Sequence, residues 1–187
     1  MINIKRASTD AELHGILSLQ RANLAVNLSG QEYLSQGFVS VVHSFEDLEM
    51  MNREEPHVIA CDNQKLVAYL LAMTPQAKSS IPMLVPMFEL FAHILYSGKT
   101  IADFNFIVVG QVCVDRNYRG IGLLDQCYAF YKQQFSGRYE FAITEIVSSN
   151  QRSMSAHRRI GFREIYNYET PDGTPWSIVL WDWRRAD

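Results

Sequence analysis

Hydrophobic and polar positions alternate through "INIKRAS" near the start of the chain, and a period of two predicts an opening strand. The period then lengthens. In "STDAELHGILSLQRANL" the apolar positions Leu13, Ile16, Leu17 and Leu19 fit one helical face, with Thr9 or Asp10 as the capping residue. "SGQEYLSQGF" reads as a second, short helix closing at Gly37, and "SFEDLEMMNRE" as a third, with Ser44 as cap and Asp47 three residues on. Two apolar runs in "HVIACDNQKLVAYLLAMT" flank "DNQK", where Asp62 and Asn63 tolerate turn geometry, so this stretch predicts a hairpin. Between Pro75 and Thr100 a helix is expected around Pro86 to Tyr96. "DFNFIVVGQVCV" predicts a long strand. "LLDQCYAFYKQQF" has apolar residues at 123, 124, 127, 128, 131 and 135, the spacing of a buried helix face. A strand "YEFAITEIV", a short helix "NQRSMSAHRRI" and two strands, "GFREIYNYE" and "PWSIVLWDW", follow, and "WDWRRAD" reads as a solvated tail.

This order predicts an α/β protein, a mixed sheet of about seven strands flanked by helices, in one domain over residues 1–187. The unit from Phe104 to Val147 should be a right-handed crossover between parallel strands. Composition mainly excludes. A net charge of −3 argues against a nucleic-acid partner. The most apolar stretch, "SSIPMLVPMFELFAHILY", is interrupted by Pro82, Pro86, Glu89 and His93, so no membrane span is expected. "MINIKRASTDAEL" lacks the apolar core of a secretory signal. The cysteines Cys61, Cys113 and Cys127 lie in apolar contexts without metal-type spacing, which fits a reducing cytoplasm. The histidines are scattered, and no metal is expected.

The chemistry begins at "VDRNYRGIGLLDQCYAFYK", where Gly120 and Gly122 sit between a strand and a helix, directly after Arg119. One reading is a tight turn that needs positive φ. The other is an anion cradle, in which bare backbone lets the first helical N–H groups point at a ligand, with Arg119 adding positive charge. Neither a P-loop nor a complete G-x-G-x-x-G is present, since Asp125 follows Gly122 by three.

"VCVDRNYRGIGLL" followed by "NQRSMSAHRRIGF" resembles the GNAT superfamily of acyl-CoA-dependent N-acetyltransferases. That family carries [QR]-x-x-G-x-[GA] after its fourth strand, and often an asparagine, a helix and a glycine–phenylalanine pair downstream. Arg119 and Gly122 match the first signature, with Leu124 in place of the usual glycine or alanine; Asn150, Gly161 and Phe162 match the second. The resemblance spans nearly the whole chain and implies acetyl-CoA as co-substrate, lying between splayed fourth and fifth strands. It implies pantetheine on the backbone of Val112, Cys113 and Val114, pyrophosphate on Gly120, Ile121, Gly122, Leu123, Leu124 and Asp125, and pantetheine contacts from Asn150, with Ser153 near the cofactor. Asn150 is equally a helix cap, and Ser153 equally a first-turn residue.

Acetyl transfer to an amine ends with a thiolate that benefits from a proton. The family often supplies it from a tyrosine seven residues after the asparagine; here that position is His157. A histidinium, with an unperturbed pKa near 6.5, protonates a thiolate near 8.5 readily, and a neutral imidazole still donates one N–H. The alternative is a histidine that packs or caps. Some members place a basic glutamate on the fourth strand, but "FNFIVVGQVCV" has none; the nearest carboxylate in sequence is Glu145, otherwise a sheet-edge charge. Gln111 would orient the acceptor or satisfy backbone. Phe38, in "GFVSVVH", falls where the family lines its acceptor pocket, as does the insert from Pro75 to Thr100. Phe88, Phe91, Tyr166, Tyr168 and Trp176 carry either pocket or core readings. The expected reaction is acetyl transfer to a primary amine of a small molecule or peptide by direct attack. A non-catalytic acyl-CoA-binding regulatory domain and a phosphate-binding domain unrelated to CoA stay open, as does oligomeric state, a homodimer included.

Overall fold

The computed structural model describes residues 1–24, 39, 41–79, 81 and 85–184. The expected helix over "SGQEYLSQGF", with Phe38, lies outside them. Nine strands and five helices are seen among the described residues: β1 (Ile2–Arg6), α1 (Asp10–Ala22), α2 (Phe45–Glu54), β2 (Val58–Asp62), β3 (Lys65–Met73), α3 (Val85–Phe91), β4 (Leu95–Tyr96), β5 (Lys99–Thr100), β6 (Phe106–Val114), α4 (Leu123–Phe135), β7 (Phe141–Val147), α5 (Gln151–Ile160), β8 (Arg163–Glu169) and β9 (Pro175–Asp182). Seven strands form one mixed sheet in the order β1-β2-β3-β6-β7-β9-β8.

Local chemistry explains the boundaries. Thr9 caps α1 reciprocally with Glu12, and Ser44 caps α2 reciprocally with Asp47, so each satisfies helix-start donors that would otherwise lack partners. The helix expected to reach Tyr96 stops at Phe91 instead, and β4 and β5 form a separate two-stranded hairpin. Its turn residues, Ser97 (φ 47°) and Gly98 (φ 84°), are both left-handed, as a two-residue hairpin turn requires. The C-terminal segment is also less solvated than its charges imply. Trp181 and Trp183 pack against the core, and the Arg184 guanidinium sits 5.1 Å from the Phe104 ring centroid. No described helix is long and apolar enough to cross a membrane.

Alternation along the strands sends side chains into two cores. Leu13 and Ile16 of α1 and Leu48 and Met51 of α2 pack on Tyr69, Val108 and Ile143 on one face; Phe88 and Phe91 belong to this core too. Cys127, Tyr128, Tyr131 and Phe135 of α4, with Met154 of α5, pack on Val67, Val109 and Ala142 on the other.

The feature that positions the site is a break in the sheet. The parallel strands β6 and β7 pair only where Phe106, Ile107 and Val108 face Phe141, Ala142 and Ile143. Beyond that, the Thr144 hydroxyl donates to the Val109 carbonyl at 2.7 Å, and the ladder ends. On its other edge β6 bulges: Leu70 of β3 faces Val112, while Ala72 faces Val109, so β6 has one residue too many. Gly110 lies in the bulge, where an added Cβ would come within 2.7 Å of the Met73 methyl. The C-terminal half of β6 is thereby turned away from β7.

Candidate active site

Two cavities meet where β6 and β7 part. The larger, of about 560 Å³, is walled by Val112, Cys113 and Val114 of β6, by Arg119, Gly120 and Gly122 of the loop, by Leu123, Leu124 and Asp125 of α4, and by Asn150, Ser153 and His157 around α5. The smaller, of about 90 Å³, is walled by Gln111, Glu145, Thr144 and Trp176 among others. Val39, Val112, Asn150, Ser153 and His157 line both.

The glycine loop has the conformation that its tight-turn reading requires. Gly120 (φ 78°) and Gly122 (φ 77°) are left-handed, while a Cβ on either would meet nothing within 4 Å. Their requirement is thus conformational rather than steric. Gly122 is the N-cap of α4, so the first helical amides, which have no intrahelical acceptor, start at the cavity wall. The Ile121 side chain is 58 % exposed and forms no part of the wall. Arg119 lines the cavity half-buried, donating to the Val114 carbonyl at 2.9 Å and to Asn23 Oδ1 at 2.7 Å. It thereby ties the end of α1 to the end of β6.

Asp125 is a negative charge in a wall that otherwise carries Arg119, Arg152 and Arg159. Its carboxylate accepts two bonds from Arg159, at 3.0 and 2.9 Å, and that guanidinium holds its carboxyl below the usual aspartate value. Three arginines against one carboxylate leave the wall net positive.

Asn150 caps α5 by accepting from the Ser153 amide at 3.2 Å. His157 is buried at 2 % exposure. Its Nδ1 lies 2.8 Å from the Ser153 carbonyl, which accepts only from an N–H and so fixes the tautomer. Nε2 is then the acceptor for the Tyr128 hydroxyl at 2.6 Å. Burial pulls the imidazole down to about 4. Of the two proton-donor forms expected for this residue, burial disfavours the histidinium, and the N–H of the neutral ring is committed to backbone.

On the other side of the break, Gln111 projects from the bulge into a buried network. Its Oε1 accepts from Tyr69 at 2.6 Å and Gln20 at 3.0 Å, and its Nε2 donates to the Val41 carbonyl at 2.7 Å. Gln20 accepts in turn from the His43 amide at 3.1 Å. Glu145 is half-buried rather than a surface charge, and its Oε2 accepts from the Tyr168 hydroxyl at 2.5 Å. Burial raises its carboxyl above the usual glutamate value, partly offset by that hydroxyl. Phe88 and Phe91 are core residues, and Tyr166 is exposed.

Tyr118, Asn23, Val39 and the α5 residues Arg152, Ser155, Ala156 and Arg159 also line the larger cavity and were not foreseen. The α5 set recurs at steps of three, one and three, a single helical face that its spacing after Asn150 would have disclosed. Tyr118, Asn23 and Val39 carry no comparable local signal. Among the described residues no group of histidine, cysteine and acidic side chains could hold a metal.

A search of curated protein sequences finds no match. Solved structures share the fold. The ribosomal-protein-S18-alanine N-acetyltransferase of Escherichia coli superposes with a TM-score of 0.65 at 14% identity, covering 100% of this chain and 97% of that one. The polyamine N-acetyltransferase of Drosophila melanogaster gives 0.66 at 12% identity, covering 97% and 100%. A structure of the NatC complex bound to Gag peptide and CoA gives 0.67 at 11% identity, covering 98% and 99%. The sequence profile described as "Acetyltransferase (GNAT) family" matches residues 26–162, well over half the chain. The two signatures flanking α4 and α5, the parted strands and this match agree: the chain belongs to the GNAT family and is an acetyltransferase.

Proposed function

We propose that this chain, as one catalytic domain, moves the acetyl group of acetyl-CoA to a primary amine by direct attack. The carrying observation is that a large cavity and a small one share a wall at Val39, Val112, Asn150, Ser153 and His157, in the gap between β6 and β7. The large cavity fits an anionic, elongated cofactor. The edge of β6 left without β7 offers backbone groups to pantetheine at Val112–Val114. The amides opening α4 at Gly120–Asp125 suit the pyrophosphate, and the arginine-rich wall suits its charge. The thioester then lies at the shared wall and the amine reaches it from the small cavity.

An alkylamine with a pKa near 10.4 costs about 4.6 kcal/mol to deprotonate at pH 7. Glu145 is the candidate base: it borders the small cavity, and its burial raises the carboxyl toward the range that suits proton acceptance. His157 takes a positioning part, holding Ser153 and Tyr128 around the thioester. The reading is tested by calorimetry with CoA and ADP, and by thiol release from acetyl-CoA across an amine panel. Expected are tight CoA binding, weaker ADP binding and amine-dependent release. Folded protein that gives no heat with CoA overturns the assignment; CoA binding without release on any amine leaves an acyl-CoA-binding domain.

A further inference from the structure

We propose that the acceptor is a slender primary alkylammonium carrying no carboxylate beside its nitrogen, recognised in the small cavity through Glu145 and Trp176, with Tyr168 holding the Glu145 carboxylate in place. This rests on the acetyl-transfer reading above. The cavity holds about 90 Å³, roughly one-sixth of the 560 Å³ on the cofactor side, which suits a slender acceptor better than a branched or ring-shaped one. Its lining mixes aliphatic side chains, Val39, Val41, Ile146 and Val147 among them, with the polar Gln111, Thr144, Asn150 and Ser153. Among the described residues, Glu145 is the only acidic side chain on it. That carboxylate keeps one oxygen on Tyr168, and no lysine, arginine or histidine among the described residues pairs with it. A half-buried carboxylate without a cation is costly unless a ligand brings one.

The strands supply the rest. Tyr168 of β8 lies directly opposite Trp176 of β9, and Glu145 of β7 lies opposite Ile178, two residues along from Trp176. Side chains two apart on a strand share a face, so the carboxylate, the phenol and the indole stand together. Aromatic rings beside a carboxylate suit an organic cation. A free amino acid would instead bring its own carboxylate against Glu145.

The transfer balances. The ammonium gives one proton to Glu145; the neutral nitrogen attacks the thioester carbon, forming C–N. The C–S bond then breaks, the nitrogen loses its second proton to the departing thiolate, and Glu145 returns its proton to water. The products are the N-alkylacetamide, free CoA thiol and one proton.

The test compares n-butylamine, glycine and an alanine-initiated peptide amide as acceptors for the wild type, Glu145→Gln and Tyr168→Phe. Binding of n-butylamine to the CoA-loaded protein is followed in parallel by ligand-observed NMR. The wild type should favour n-butylamine over glycine and the peptide by at least tenfold in kcat/KM. Glu145→Gln should lower turnover of n-butylamine at least 100-fold and abolish its binding, with the acetyl-CoA KM within twofold of wild type. Tyr168→Phe should fall between. Preference for the peptide or for glycine, or n-butylamine binding equal in wild type and Glu145→Gln, overturns the proposal. Acetylation of the peptide with none of n-butylamine would overturn it while sparing acetyl transfer. Absence of turnover on all three, with n-butylamine binding lost in Glu145→Gln, would sink acetyl transfer and keep the cation site.

Discussion

Gln111 shows how one side chain joins two halves of a site. It lies in the bulge that turns β6 away, and its amide holds the Val41 carbonyl, part of the small cavity's wall. Replacing it leaves Tyr69 Oη, Gln20 Nε2 and the Val41 carbonyl buried without their partner. Gln111→Met should therefore cost about 2–4 kcal/mol of stability in denaturant melts. If Gln111 holds the acceptor wall, the acceptor KM should rise several-fold more than the acetyl-CoA KM; equal rises would reduce it to a packing residue. The sequence offered both backbone satisfaction and acceptor orientation for this residue. The hydrogen bond to Val41 belongs to the first, and it is invisible without the fold because the partners lie 42 to 91 positions away. Glu145 was legible as the nearest carboxylate, yet whether it faced water or a cavity depended on β8 and β9. His157 was legible as a residue that donates a proton or packs, but its burial beside the Tyr128 phenol of α4 depended on the fold.

At the scale of elements, α5 forms much of the cofactor-side wall. Arg152, Ser155, Ala156 and Arg159 share a face, and the Arg159–Asp125 ion pair joins that face to the first turn of α4. Both partners are substantially exposed, so the pair contributes little to stability, about 0–1 kcal/mol. Its larger effect should be on ligand charge. Asp125→Asn removes a carboxylate from the arginine-lined wall and releases a guanidinium toward the cavity, so at the proposed site CoA should bind several-fold tighter by calorimetry. Arg152→Ala should weaken CoA several-fold, more at low salt than at high. CoA affinity unchanged in both variants would place the anion elsewhere. Most elements were readable because their period and caps were local, as with Thr9–Glu12 and Ser44–Asp47. The β4–β5 hairpin was missed because two-residue strands are too short to show a period, and Leu95–Tyr96, its first strand, closed an apolar run read as helix.

Across the whole molecule, buried histidines couple stability to pH. His57 is fully buried between the Leu48 carbonyl and the Ala72 amide, and burial takes it to about 3; His157 lies at about 4 for the same reason. Both are neutral in the fold and titrate near 6.5 when unfolded. Between those values the unfolded chain binds more protons, so stability is fully present above pH 6.5 and declines as pH falls toward 4 and 3. Each histidine should remove about 2 kcal/mol by pH 5. Thermal melts from pH 7.5 to 5 should show Tm dropping steadily, and His157→Gln should make the slope shallower. A flat Tm over that range would contradict the buried, neutral state of both rings.

The sheet's continuity rests on three facing residue pairs at one end of β6 and β7. On one side of that seam stand β1, β2 and β3; on the other, β9 and β8. A pantetheine arm laid along the exposed strand edge would act as a stand-in strand, so the ligand would complete the fold's own hydrogen-bonding lattice. On that proposal, loading the co-substrate and stiffening the protein would be one event.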